Sequence, residues 1–249
     1  MSTQLDRLMT LTKNLKLKAE REITGEKKPT KIITIASGKG GVGKTNFTLN
    51  LGIALAEYGQ RVLILDADLG LANVDVILGI SPKFNLLHVI YGEKEISDII
   101  LEGPNGIKII PGGSGIYELA DLDEWQLEQF LLKLSVLENE SDFLLIDTGA
   151  GISKNVLNFT LAADEIFIVT TPEPTSITDA YGLIKTLHKH KFLGEIKLIV
   201  NKATTYEEAE ITGKKLQIVV KRFLKDFKLE ILGYVLEDRT VPLAVKKQK

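Results

Sequence analysis

The sequence predicts an α/β fold, a doubly wound and mainly parallel sheet with helices on both faces. Three observations predict it. Seven short runs are apolar at consecutive positions, as strands covered on both sides require. Stretches with helical spacing stand between them, and alternation of this kind builds parallel crossover units. A glycine-rich turn and several carboxylates follow the ends of the runs.

The runs are KIITIAS (31–37), RVLILDAD (61–68), IKIIPG (107–112), DFLLIDTG (142–149), EIFIVTTP (165–172), IKLIVNK (196–202) and EILGYVL (230–236). Helices are predicted at 44–59, 123–138, 154–163, 175–191 and 206–227. Residues 1–29 differ in character. Seven basic residues outnumber four acids there, and Leu5, Leu8, Met9 and Leu15 recur near helical spacing. The chain therefore reads as a basic, partly amphipathic arm (1–29) followed by one domain (30–249), with Pro29 at the boundary.

Composition narrows the chemistry. The chain has 249 residues, 44% of them apolar, which suffices for one sizeable core. It has no cysteine, so disulfides, thiolate zinc sites and cysteine-held iron–sulfur clusters are excluded. The net charge of -2 gives no reason to expect nucleic acid as a specific partner. No apolar run approaches the ~18 residues that span a bilayer, and the N-terminus lacks a secretory pattern. The expectation is a cytoplasmic protein, with peripheral contact at the inner face of the membrane left open.

The motif with the most chemical content is GKGGVGKT (38–45), directly after the first run. Gly38, four residues, then Gly43, Lys44 and Thr45 match the pattern G-x-x-x-x-G-K-[ST]. A triphosphate needs backbone N–H groups turned inward around it, and the glycines permit that turn. The helix opening at Lys44 aims its positive end at the same anion. Lys44 is placed to reach the β- and γ-phosphates, and Thr45 to offer a hydroxyl to Mg²⁺. Gly38, Lys39, Gly40, Gly41, Val42, Gly43, Lys44, Thr45 and Asn46 are the expected phosphate contacts. ATP and Mg²⁺ are the expected ligands.

Asp66 and Asp68 end the second run and Asp147 ends the fourth. Carboxylates at the C-terminal edge of a parallel sheet face the ligand crevice, and hard oxygen donors suit Mg²⁺. An aspartate after a strand also caps turns and helices. The coincidence with the glycine-rich loop favours metal and water positioning. Asn201 follows a later run and presents one donor and one acceptor to a purine edge. Thr204 stands where a guanine-reading aspartate would be, which favours adenine.

KGGVGKT resembles the deviant phosphate loop of the MinD/ParA family, and the similarity extends from residue 31 to about 245. The resemblance implies a P-loop ATPase that pairs into an ATP-dependent homodimer, with Lys39 crossing to the partner's phosphates. It further implies that Lys39 and Lys44 stabilise the transferring phosphoryl group and that Asp68 positions the attacking water. Asp66 and Asp147 would organise Mg²⁺, with Gly149 and Gly151 freeing the loop. Asn201 would contact adenine, flanked by Leu236, Glu237 and Asp238.

DTGAGI (147–152), TTPEPTSITDAYGLIK (170–185) and LEDRTVPLAVKKQ (236–248) resemble the flagellar-number branch of that family, the FlhG, FleN and YlxH proteins. That likeness implies control of flagellar number or placement. It also implies partners such as an FlhF-like GTPase, flagellar switch-ring proteins or transcription regulators. A division-site ATPase and a DNA-segregation ATPase are the alternatives. Two departures stand out. The branch's D-Q-A-x-x-L-R arm is matched here only at Gln4 and Leu8. The basic stretch AVKKQK carries no following apolar face of the kind a lipid-binding helix needs. In the proline-containing segment, Thr175 or Ser176 is expected to cap the next helix.

Overall fold

The computed structural model describes residues 29–68, 73–113, 133, 140–225 and 227–248. The predicted arm and the predicted helix 123–138 lie outside these, apart from Pro29 and Lys133.

Eight strands form one sheet. They are β1 (Lys31–Ser37), β2 (Val62–Ala67), β3 (Leu101–Glu102), β4 (Lys108–Ile110), β5 (Phe143–Ala150), β6 (Glu165–Thr170), β7 (Glu195–Ala203) and β8 (Glu230–Leu236). Their spatial order is β3-β4-β2-β5-β1-β6-β7-β8. All neighbours run parallel except β3 against β4. All seven predicted strands are present, within a residue or two at most ends. β3, two residues long, has no readable pattern.

The helices are α1 (Lys44–Glu57), α2 (Val74–Leu78), α3 (Leu86–Ile90), α4 (Lys154–Leu161), α5 (Pro174–Lys189), α6 (Tyr206–Phe223) and α7 (Thr240–Lys247). Four of the five predicted helices are thus found. The unforeseen α2, α3 and α7 span only five to eight residues, too few to show a period against their flanks.

Strand alternation explains the two layers. Ile33, Ile35, Ile64, Phe167 and Val169 face one side, where α1 contributes Leu49 and α2 contributes Val74. On the other side Leu63, Leu65 and Ile146 meet α3 and Phe159 of α4. Ile166, Ile168, Leu198 and Val200 meet Leu183, Ile184 and Leu187 of α5 and Leu216 and Val220 of α6. The central strands β1, β2, β5, β6 and β7 bury residues on both faces, so each reads as a continuous apolar run.

β1 lies between β5 and β6. From it the chain first builds β2 to β5 on one side and then β6 to β8 on the other. That reversal of strand order places a crevice at the C-terminal end of β1. The glycine-rich loop fills that position.

Candidate nucleotide site

The loop starts where β1 meets α5. A Cβ on Gly38 would lie 2.2 Å from the backbone of Asp179 in α5, so only glycine lets the loop pass. Gly43 closes the loop at φ +95°, a left-handed conformation, with Asn201 Nδ2 2.5 Å from where a Cβ would stand. α1 then begins at Lys44.

For the loop's N–H groups to turn inward, its carbonyls must turn outward, and three of them are held by side chains. Ser37 Oγ donates to the Lys39 carbonyl at 2.7 Å. Lys202 Nζ donates to Gly41 at 2.8 Å and Asn201 Nδ2 to Val42 at 2.8 Å. Val42 is itself buried in the core. Lys202 sits at φ +55°, which brings its side chain back over the loop from the end of β7. Ser37 and Lys202 belong to the site although the motif does not require them. Their one sequence signal was adjacency to Gly38 and to Asn201.

Lys44 is buried and its ammonium donates to Ser37 Oγ at 2.9 Å. Burial lowers its pKa, opposed by the charges of Asp147 and Asp68. Asn46 lies in the first turn of α1, where its carbonyl accepts from Asn50. Gly40 and Gly41 line the open stretch of the loop.

Lys39 does not project freely. It forms an ion pair with Glu173 and donates to Thr175 Oγ1 at 2.9 Å, both just before or within the first turn of α5. The expected helix cap is therefore not formed by Thr175, whose hydroxyl takes Lys39. Nor does Ser176 form it: its Oγ accepts from Thr171 N and pairs with Thr170 Oγ1. Pro174 at the first helical position starts the helix instead.

Asp147 and Asp68 lie beside Lys44, and Asp66 is in register with Asp147 on the neighbouring strand. Asp147 is fully buried at the end of β5. One of its oxygens accepts from Thr48 at 3.3 Å, and the Thr45 hydroxyl stands beside the carboxylate. Its Oδ2 is buried with no partner. Burial raises its pKa to about 6, against the Thr45 and Thr48 hydrogen bonds and the Lys44 charge. Asp66 accepts backbone N–H groups from Asp68 (3.1 Å), Asn73 (3.0 Å) and Val74 (3.1 Å). Burial, then the Asp147 charge, raises its pKa to about 7 despite these bonds. Asp66 thus fixes the residues that open α2. Asp68 stands nearby: a Cβ on Gly149 would lie 3.3 Å from its Oδ1.

These groups fit a magnesium ion. The buried Asp147 oxygen without a partner and the Thr45 hydroxyl are hard oxygen donors of the kind such an ion takes, one or two from the protein and the rest from water and phosphate. Thr45 and Asp147 would hold the ion, and Asp66 would shape the pocket around them.

The base-side residues assemble only in part. Leu236 pairs with Ala203 across β7 and β8, and Glu237 N donates to the Ala203 carbonyl, two residues beyond Asn201. Asp238 turns away and accepts from Thr240 N at 2.7 Å, opening α7.

Residues 30–199 match the family described as an AAA domain. Over 225 residues the chain is 43% identical to the antiactivator FleN of Pseudomonas aeruginosa, covering 90% of this chain and 80% of FleN. It is 38% identical to the flagellum site-determining protein YlxH of Helicobacter pylori, covering 100% of this chain and 83% of that protein. Among solved structures, the septum site-determining protein MinD of Pyrococcus horikoshii, complexed with Mg-ADP, is similar with a TM-score of 0.73 and 29% identity. That match covers 88% of this chain and 86% of MinD.

The chain belongs to the MinD/ParA family of P-loop ATPases.

Within that family it is most like the FlhG/FleN branch. Among the described residues, no helix is long and apolar enough to cross a membrane.

Proposed function

We propose that the domain from residue 30 to 249 is an ATP-hydrolysing switch that dimerises with ATP and controls flagellar number or placement. The observation that carries the reading is the position of Lys39, bound to Glu173 and Thr175 at the mouth of the phosphate loop. That ion pair is exposed, and exposed pairs contribute little. Lys39 can therefore exchange Glu173 for a phosphate presented by a second subunit. A contact made only in the dimer is what lets ATP favour that state.

Within one subunit, the inward N–H groups of Gly40 to Lys44 and the Lys44 ammonium bind the phosphates. Thr45 and Asp147 would hold Mg²⁺, which would supply neutralising charge to the phosphates. Asp68 orients water for in-line attack on the γ-phosphorus, giving ADP and phosphate. Asn201 keeps its oxygen and one amide hydrogen for adenine while the other holds Val42. Leu236 and Glu237 flank the base.

The likeness to FleN and YlxH supports the flagellar role, with an FlhF-like GTPase, a switch-ring protein or a transcription regulator as partner. The expected site of action is the cytoplasm, including the inner face of the membrane. Light scattering of Asp68→Ala with ATP and Mg²⁺ tests the switch. A stable dimer is expected because hydrolysis is blocked. A variant that stays monomeric would overturn it.

A further inference from the structure

With the glycine-rich loop as the proposed nucleotide site, we infer that Thr171 is a further positioning residue there, its hydroxyl the donor that meets a loop carbonyl when the loop closes on phosphate. On β6, Phe167 and Val169 face α1, while Ile166 and Ile168 face α5 and α6. Alternation carries Thr170 to the α5 side, where its hydroxyl pairs with Ser176 Oγ at 2.9 Å. It carries Thr171 to the α1 side, beneath the loop. Thr170 is in register with Val200, so Thr171 stands level with Asn201 of β7. Ser37 of β1 faces the same side and meets Lys44 of α1. Both neighbours hold the loop, Ser37 by the Lys39 carbonyl and Asn201 by that of Val42. Thr171 is 7% exposed, and its N–H donates to Ser176 Oγ at 3.1 Å, which pins the residue. Its own Oγ1 is buried and pairs with nothing among the described residues.

A buried hydroxyl without a partner destabilises the arrangement that contains it. Valine has nearly the same shape and no such cost. Among the described residues, four buried side-chain atoms lack a partner. Ser141 Oγ lies at the opposite edge of the sheet, and Asn158 Nδ2 belongs to α4. The other two, Asp147 Oδ2 and Thr171 Oγ1, stand on the strands either side of β1, at the end where the phosphate loop begins. Asp147 suits magnesium, whereas a hydroxyl beneath the loop suits its backbone. Ser37, Lys202 and Asn201 serve the carbonyls of Lys39, Gly41 and Val42, and that of Gly40 has no donor among the described residues. Gly40 is exposed. Phosphate draws the N–H groups of this stretch inward and turns its carbonyls the other way. The Gly40 oxygen is thus the acceptor that a closing loop would bring to Thr171. A hydrogen bond made only in the closed state favours that state and so raises nucleotide affinity.

Thermal melts and fluorescent-ADP titrations of the full chain, T171V and T171S test this. Without nucleotide, T171V should melt about 2 to 4 °C above the wild type, because the unpaired hydroxyl is gone. Its ADP affinity should nevertheless fall about fivefold to tenfold. T171S keeps the hydroxyl and should bind ADP as the wild type does. Unchanged ADP affinity in T171V would overturn the inference. So would a T171V that melts below the wild type, since the hydroxyl would then already have a partner such as a fixed water. A serine that fails to restore binding would assign the loss to the methyl group and overturn it as well. Absence of ADP binding by the wild type would remove the nucleotide reading and this inference together, whereas failure in the variants alone leaves that reading standing.

Discussion

Asn201 Nδ2 donates to the carbonyl of Val42 at 2.8 Å, across 159 positions of sequence. The end of β7 and the phosphate loop are thereby one mechanical piece. Asn201→Ala removes the bond and leaves a buried carbonyl without its donor. Fluorescent-ADP titration should show affinity falling about tenfold. Asn201→Asp should do worse, since a carboxylate would face the Val42 oxygen. An unchanged affinity in both would mean that the loop is held without Asn201.

The Lys39–Glu173 pair gives a second prediction with two opposite signs. Lys39→Ala should keep ADP binding within about threefold, because the inward N–H groups and Lys44 remain. It should nonetheless abolish the ATP-dependent dimer. Glu173→Gln removes the resident partner of Lys39. It should lower the ATP concentration needed for dimerisation, by no more than about fivefold for an exposed pair. Sedimentation velocity over an ATP series measures both.

Titration of Asp66 and Asp147 sets a pH dependence. Burial raises both carboxyls, to about 7 and about 6, above the ordinary carboxylate range. The folded state therefore binds protons that the unfolded chain releases. Their contribution to stability is complete below about pH 4 and is lost as pH rises through about 6 to 7. A magnesium ion at Asp147 favours the ionised form and should flatten the loss. Thermal melts at pH 5.5 and 8, with and without Mg-ADP, are expected to show the larger gain from Mg-ADP at pH 8. Equal gains would refute the assignment.

Asp66 also anchors backbone. Asp66→Ala frees the N–H groups of Asp68, Asn73 and Val74. Unpaired donors at a buried position should cost about 2 to 3 kcal/mol in urea melts. Amides of 73–78 should lose their hydrogen-exchange protection first. A uniform loss across the sheet would instead assign Asp66 to the global core.

Legibility differed by residue. Gly38, Gly43, Lys44 and Thr45 were readable because the loop needs those residue types at fixed spacing. The strands were readable because sheet burial on both faces leaves consecutive apolar residues. Asp147 was readable as a carboxylate at a strand end, whereas its oxygen left without a partner is a product of packing. Asp66 looked like a magnesium ligand from its strand end, and its three backbone donors come from residues up to eight positions away. Lys39 was legible as an additional lysine, whereas its contact with Glu173 joins two loops 134 positions apart. α2 and α7 escaped because helices this short are made by what they pack against.

α7 packs on α2, with Gln248 Nε2 donating to the Val76 carbonyl at 3.0 Å. α2 in turn is held at its start by Asp66. The two helices therefore share one anchor and are expected to open together. Their amides should exchange at matched rates and slow together when Mg²⁺ and nucleotide engage Asp147, although residues 240–247 lie some 170 positions from α2 in sequence. A fluorophore attached at Lys247 would then report the loading of a cleft it does not touch.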